Sequence, residues 1–411
     1  MILSKPIHAF THRLQSHGTS YRIQQNIWGI SKHTSIQHFS TALDSDKDTI
    51  FARIDTDEEK HNLMDEIQDI DLFKPYFPIY YNDVYKVPLP KNHRFPMNKY
   101  HQVRVRVQEY INPIRNENNV QCEFRISPLA SLNDLQTTHC PQYIDRYVRG
   151  EQTEAELRNV GFPWSQKGVD RSFSSTGGTI AASTALCLLK SRQLQHQAAL
   201  SHEEETKEYG MLFSAHVAGG THHAFRDYGE GFCIFSDIAV AANVILRDYD
   251  FIKNVLIIDL DVHQGNGNAV LFQDVEEVKT FSMHCSANYF SPKEKSDLDI
   301  ELPAGVTDET YLATLHHWLK QIEAQNGKID FVFFQAGVDI LEQDRLGRMN
   351  ISYEGIERRN LMIFDFAKRL KVPLMISMGG GYPRNDWEPI LKAHTRVYTQ
   401  AYDYLVQNDK C

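Results

Sequence analysis

What this sequence lacks narrows it quickly. Its six cysteines, Cys122, Cys140, Cys187, Cys233, Cys285 and Cys411, include no CxxC pair. That spacing argues against a zinc ribbon, and it fits reduced thiols in an intracellular compartment better than a disulfide framework. No run approaches the roughly 18 consecutive apolar residues of a membrane span. Lys and Arg number 43 against 53 Asp and Glu and do not cluster, so the net charge of −10 argues against direct nucleic-acid binding. There is no GxxxxGK(S/T) phosphate loop and no GxSxG elbow, which removes the usual parts of phosphoryl transfer and of serine hydrolysis.

One absence is local. No Asp or Glu occurs before Asp44, while Lys5, Arg13, Arg22 and Lys32 sit among Ser, Thr, His and Gln. A basic, hydroxylated, acid-poor start is the profile of an organelle transit peptide, so residues 1–43 are expected to be one. A mitochondrial matrix address is the first expectation and a plastid the second; an ordinary tail would leave the protein in the cytoplasm or nucleus. Without those residues the chain carries 39 basic and 53 acidic residues, a net of −14, so the tail opposes the charge of the body. Residues 44–76 are dense in charge and are expected to form a linker or a solvent-facing helix. Residues 77–405 are expected to form one catalytic domain.

Within that domain apolar runs alternate with helical patterns. FPIYY, MLFSA, NVLIIDL, KTFSMH, FVFFQAG and VPLMISM are candidate strands. NKYHQVRVRVQEYI, GGTIAASTALCLLK, FSDIAVAANVILRDY, ETYLATLHHWLKQIEAQ and YEGIERRNLMIFDFAKRL are candidate helices. Such alternation predicts an α/β fold, a parallel sheet with helices on both faces. Ligands of these sheets bind beyond the carboxyl ends of the strands. Four unusual motifs sit there: MLFSA runs into HVAGGTHHAF, NVLIIDL into DVHQGNG, FVFFQAG into VDILEQDRLG, and VPLMISM into GGGYPRN.

Asp259, Asp261 and His263 fall at alternate positions and face one way in an extended chain. Desolvating two carboxylates together is costly unless a cation compensates them. A catalytic zinc takes about three ligands from His, Asp, Glu or Cys and keeps one position open. Asp261 and His263 supply two and Asp339 the third, although Asp339 alone would read as a helix cap. A set without thiolate suits Fe(II) as well. The pair His222 and His223, bland by itself, can act as base and acid beside such a metal, with Asp259 and Asn266 as orienting acceptors. Tyr382, after three glycines, can donate to a developing oxyanion. Together these are parts for metal-assisted hydrolysis of an amide.

GGTHHAF, GEGFCIFSD, IIDLDVHQGNG, FQAGVDILEQDRLGR and MGGGY, in this order, resemble the zinc-dependent histone deacetylase superfamily. NVGFPWSQKGVDRSFSSTGGT and PLPKNHRFPMNKY add a likeness to its class IV branch and the bacterial deacetylase-like proteins. The resemblance spans roughly Phe77 to Tyr402. It implies a three-layer α/β/α arginase/deacetylase-type fold with a central, mostly parallel sheet of about eight strands. It implies Zn2+ on Asp261, His263 and Asp339, the histidine pair His222–His223, and Tyr382 as oxyanion donor. A structural K+ on Asp259, Asp261, His263, Ser282 and Met283 is implied too, the last through its carbonyl. Phe232 would line one wall of the acyl-lysine channel, with the opposite wall in CSANYFSP, and Gly231 and Gly380 are expected as further binding residues. Asn266 stands where many members carry Asp, which should make His223 harder to protonate than in those members.

The implied activity is hydrolysis of the Nε-acyl amide of protein lysines. An amidohydrolase of small acylated amines, such as acetylpolyamines, would use the same site. A binuclear manganese ureohydrolase needs a further carboxylate where this chain has Gly265. A silent acyl-lysine binder would not need every ligand and Tyr382 to be kept.

Overall fold

A computed structural model describes residues 54–409 apart from 92, 201–206, 289–291 and 326. The proposed transit peptide therefore lies outside the described residues, as does the centre of CSANYFSP.

Eight strands form one wholly parallel sheet: β1 (Tyr76–Tyr81), β2 (Gln121–Ile126), β3 (Phe213–His216), β4 (Val255–Asp259), β5 (Val278–Cys285), β6 (Leu298–Leu302), β7 (Phe331–Gln335) and β8 (Leu374–Ser377). Their order is β2-β1-β3-β8-β7-β4-β5-β6. The central strands are apolar on both faces because helices cover both. In β7, Phe331 and Phe333 join the core under one face while Val332 and Phe334 join the other, and all four are fully buried. Each such burial contributes about 1.5–3 kcal/mol.

Helices Lys99–Ile111, Asp308–Gln325, Tyr353–Leu370 and Glu388–Asn408 pack on one face. Gln166–Ala199, Asp237–Asp248 and the N-terminal helix Thr56–Glu66 pack on the other. That last helix lies in the segment expected as linker or solvent-facing helix; Asp55 caps it and Leu63 is fully buried. The helix expected over GGTIAASTALCLLK is the middle of a 34-residue one, started by the Ser165 side chain, which accepts the Gly168 N–H.

The order of strands fixes where a ligand can sit. From β4 the chain moves outward through β5 to β6, then returns to place β7 on the other side of β4 and β8 beyond it. The crevice between β4 and β7 is thus a topological switch point. Asp259 pairs with Gln335 across it, and both strands end there.

Candidate active site

Past the ends of β4 and β7, Asp261, His263 and Asp339 converge, with one ligand atom from each lying within 4.8 Å of the others. Among the described residues they are the only such group. His263 Nδ1 lies 3.2 Å from Asp261 Oδ1 and 3.3 Å from Asp339 Oδ2. The opposite edges of the carboxylates are held by the backbone and by one amide. Asp261 Oδ2 accepts the Gly380 N–H at 2.8 Å and Gln335 Nε2 at 3.0 Å, and Asp339 Oδ1 accepts the Val262 N–H at 2.9 Å. Asp339 Oδ2 receives no hydrogen bond although it is buried. Burial and the Asp261 charge raise the Asp339 carboxyl above its ordinary range. A buried carboxylate with one oxygen unfilled, facing a second carboxylate and an imidazole, fits a divalent cation. The donor set admits zinc or ferrous iron.

Gly380 has to be glycine for steric reasons. A Cβ there would lie 2.1 Å from Asp339 Oδ2 and 2.7 Å from Asp261 Oδ2, inside contact distance of both. The turn that carries Tyr382 thereby presses its backbone against the two carboxylates.

The histidines stand beside this cluster, their ring centroids 4.0 Å apart. His222 Nδ1 is 2.7 Å from Asp259 Oδ2, and its Nε2 faces Asp261 Oδ1 at 3.9 Å. His223 Nδ1 is 2.7 Å from Asn266 Oδ1, so Nδ1 carries the hydrogen and Nε2 is the basic nitrogen. Burial opposes charge on His222, but the Asp259 and Asp261 carboxylates outweigh it and raise the ring to about 9. Burial, reinforced by His222 and His263, holds His223 well below the ordinary histidine value. A carboxylate partner and an amide partner thus bias two adjacent imidazoles in opposite directions, one toward the protonated form and one toward the neutral form.

Tyr382 is anchored through its backbone, its N–H donating to Asp344 Oδ2 at 2.5 Å. Burial and the nearby Asp339 and Asp261 push its phenol well upward, so it stays a donor. Its ring centroid is 6.2 Å from that of Phe232. Phe232 has a φ of +69°, a strained conformation for a bulky residue, and follows Gly231 at +55°. Both are held by N–H donation to the carbonyls of Val160 and Asn159. Ser282 lies on β5 opposite Asp259, its hydroxyl 3.0 Å from His284 Nδ1, and Met283 follows it, fully buried.

Several supporting residues escaped the sequence reading. Gln335 bridges Asp261 to the backbone, its Oε1 accepting the Gly337 N–H at 2.9 Å. Asn288 places its amide 3.0 Å from His263 Nε2. Asp237 gathers the N–H groups of Gly220 and Thr221 and the hydroxyls of Thr221 and Thr179, fixing the loop ahead of the histidines. A lone polar residue inside an apolar run, as in FVFFQ, was the available signal for Gln335.

Residues 96–398 match the model of the histone deacetylase domain. An uncharacterized protein of Picosynechococcus sp. is 37% identical over 328 residues, covering 80% of this chain and 99% of that protein. Histone deacetylase 2 of Arabidopsis thaliana is 33% identical over 196 residues, 47% of this chain and 48% of that protein. Among solved structures, an HDAC homolog complexed with SAHA superposes with a TM-score of 0.59, covering 81% of this chain and 84% of that one at 21% identity. That likeness speaks to the fold, which is the arginase/deacetylase type. With a family match over most of its length and a relative aligned almost end to end, this chain belongs to the histone deacetylase family of hydrolases.

Proposed function

We propose that the protein is a zinc-dependent lysine deacylase, hydrolysing the Nε-acyl amide of lysine in protein substrates. The observation that carries this is the juxtaposition of the Asp261–His263–Asp339 cluster with two histidines whose Nδ1 atoms are each fixed at 2.7 Å by a different kind of acceptor. Asp261, His263 and Asp339 would hold the ion. When bound, it supplies Lewis acidity toward the amide carbonyl and lowers the pKa of water.

The rest falls to the chain. His223, oriented through Asn266, presents Nε2 to take the proton of the attacking water. His222, biased toward imidazolium by Asp259, supplies positive charge and the proton for the departing lysine nitrogen. The Tyr382 hydroxyl donates to the carbonyl oxygen as it gains charge, a contribution of about 3–4 kcal/mol for one such donor. Phe232 forms one wall for the lysine stem. In this proposal Asp259, Asp261, His263, Ser282 and the Met283 carbonyl hold a structural K+, and residues 1–43 direct the protein to mitochondria.

The test is hydrolysis of a panel of acyl-lysine peptides and acetylated polyamines by the zinc-loaded full chain, with a hydroxamate chelator as control. Chelator-sensitive cleavage of peptides is expected. Turnover of polyamines alone would replace the protein substrate with small amines, and no turnover despite bound zinc would point to a silent binder.

A further inference from the structure

A cleft opens beside the Phe232 wall, with an empty volume of ≈ 740 Å³ that includes its mouth. Phe95, Phe162, Trp164, Phe232 and Tyr100 line it, and so do Gly219 and Thr221, the residues just ahead of His222. It therefore shares walls with the catalytic centre. Most of its surface is apolar, as expected for a ligand pocket.

Its charged lining residue is Arg171. The guanidinium carbon sits 4.2 Å from the centroid of the Tyr100 ring, and Nη1 donates to Asn82 Oδ1 at 3.1 Å. Neither partner is anionic. No carboxylate of the described residues lies within 4.0 Å of it. The neighbouring Asp83 has both oxygens engaged, Oδ1 by Arg104 and Oδ2 by Arg104 and His101. Lys99 Nζ also lies near this tyrosine, 5.4 Å from the Tyr100 centroid and 5.5 Å from that of Tyr382. Positive charge thus runs from the Tyr382 turn to the cleft without a matching anion at its outer end. A guanidinium left uncompensated in an aromatic cleft is costly unless an anion joins it, and its planar fork is suited to a carboxylate.

We infer that this cleft receives an acyl group ending in a carboxylate, and that Arg171 binds that carboxylate. The inference rests on the lysine deacylase reading and names its substrate class: lysine acylated by a four- or five-carbon dicarboxylic acid. Hydrolysis needs no co-reactant. Water forms the new C–O bond, the C–N bond breaks, the lysine nitrogen gains a proton, and the free dicarboxylic acid leaves.

The experiment compares succinyl- and glutaryl-lysine peptides with butyryl- and pentanoyl-lysine peptides, matched in chain length, on the zinc-loaded full protein, for both binding and turnover. The acids ending in a carboxylate should bind more tightly and show at least about tenfold higher kcat/KM. Arg171→Gln should erase that advantage and Arg171→Lys should keep part of it. Equal handling of charged and neutral chains by the unaltered protein overturns the inference while leaving the deacylase reading in place. If no peptide is cleaved but the charged ones bind better, the inference stands and the deacylase reading falls. If Arg171→Gln instead relieves inhibition by free acetate with no change in acyl preference, Arg171 serves the released acid and the inference is overturned.

Discussion

Gln335 offers the sharpest test of how the residues proposed to hold the metal are supported. It is fully buried, donates to Asp261 Oδ2 at 3.0 Å and accepts the Gly337 N–H at 2.9 Å. Gln335→Leu keeps most of the volume but removes these two bonds and the longer donation to the Gly220 carbonyl at 3.4 Å. A hydrogen bond to a charged acceptor contributes about 1.5–3 kcal/mol. Asp261 Oδ2 retains the Gly380 N–H at 2.8 Å, so only part of that energy reaches the metal. A ten- to hundredfold weaker zinc affinity follows, the usual consequence of losing a partner that orients a ligand. Gln335→Ala should do at least as much, because it removes the same bonds and leaves a void beside Asp261. The assay is competition with a chromophoric chelator, paired with thermal unfolding of the metal-free protein to separate ligand positioning from general damage. Zinc affinity within twofold of the parent in both variants would refute the reasoning.

Tyr382→Phe should lower kcat by about a hundredfold or more with zinc content unchanged; turnover near the parent value would remove the phenol from the reaction. Acid should destabilise the fold through two neutral, buried histidines. His139 receives the Ser236 N–H on Nε2, so Nδ1 carries its hydrogen toward the Phe225 carbonyl, and burial lowers it from 6.5 to about 4. His216 lies between Ser127 and Thr179 and is lowered to about 3 by burial and Arg171. Between pH 6.5 and 4 the unfolded chain binds protons that the native protein refuses. Their stabilisation is therefore complete above pH 6.5 and declines with acid by up to about 1.4 kcal/mol per unit for each ring. Denaturant melts across that range should be shallower in pH for His139→Gln, and an unaltered slope would count against the assignment. Residues 1–43 fused to a fluorescent reporter should enter mitochondria, whereas a diffuse cytosolic signal would contradict the targeting proposal.

The central sheet was legible because both its faces are buried, so its inner strands read as mostly apolar runs. The edge strands β2 and β6 were not recognised. They are half-buried and carry Glu123, Arg125, Asp299 and Glu301 among their apolar residues, the charge that edges use against further pairing. At the site, Asp261, His263 and Asp339 stood out because charge at the end of an apolar strand is expensive. Gln335, Asn288 and Asp237 did not, because they matter through partners 74, 25 and 16–17 positions away. Such pairings exist only once the strands have been ordered.

That ordering bears on how the chain is made. Until residue 331 has been synthesised, the polypeptide contains only the strands of two outer halves, β2-β1-β3 and β4-β5-β6, whose inner edges have no partner yet. β7 and β8 fill the gap between them and act as a keystone. A ribosome-bound or truncated chain ending before β7 would present two open parallel edges to other chains, the situation in which proteins aggregate or engage chaperones. It would also lack Asp339, so a prematurely ended product could not hold a metal ion at this site and would stay catalytically silent while it waited for, or failed to find, its missing centre.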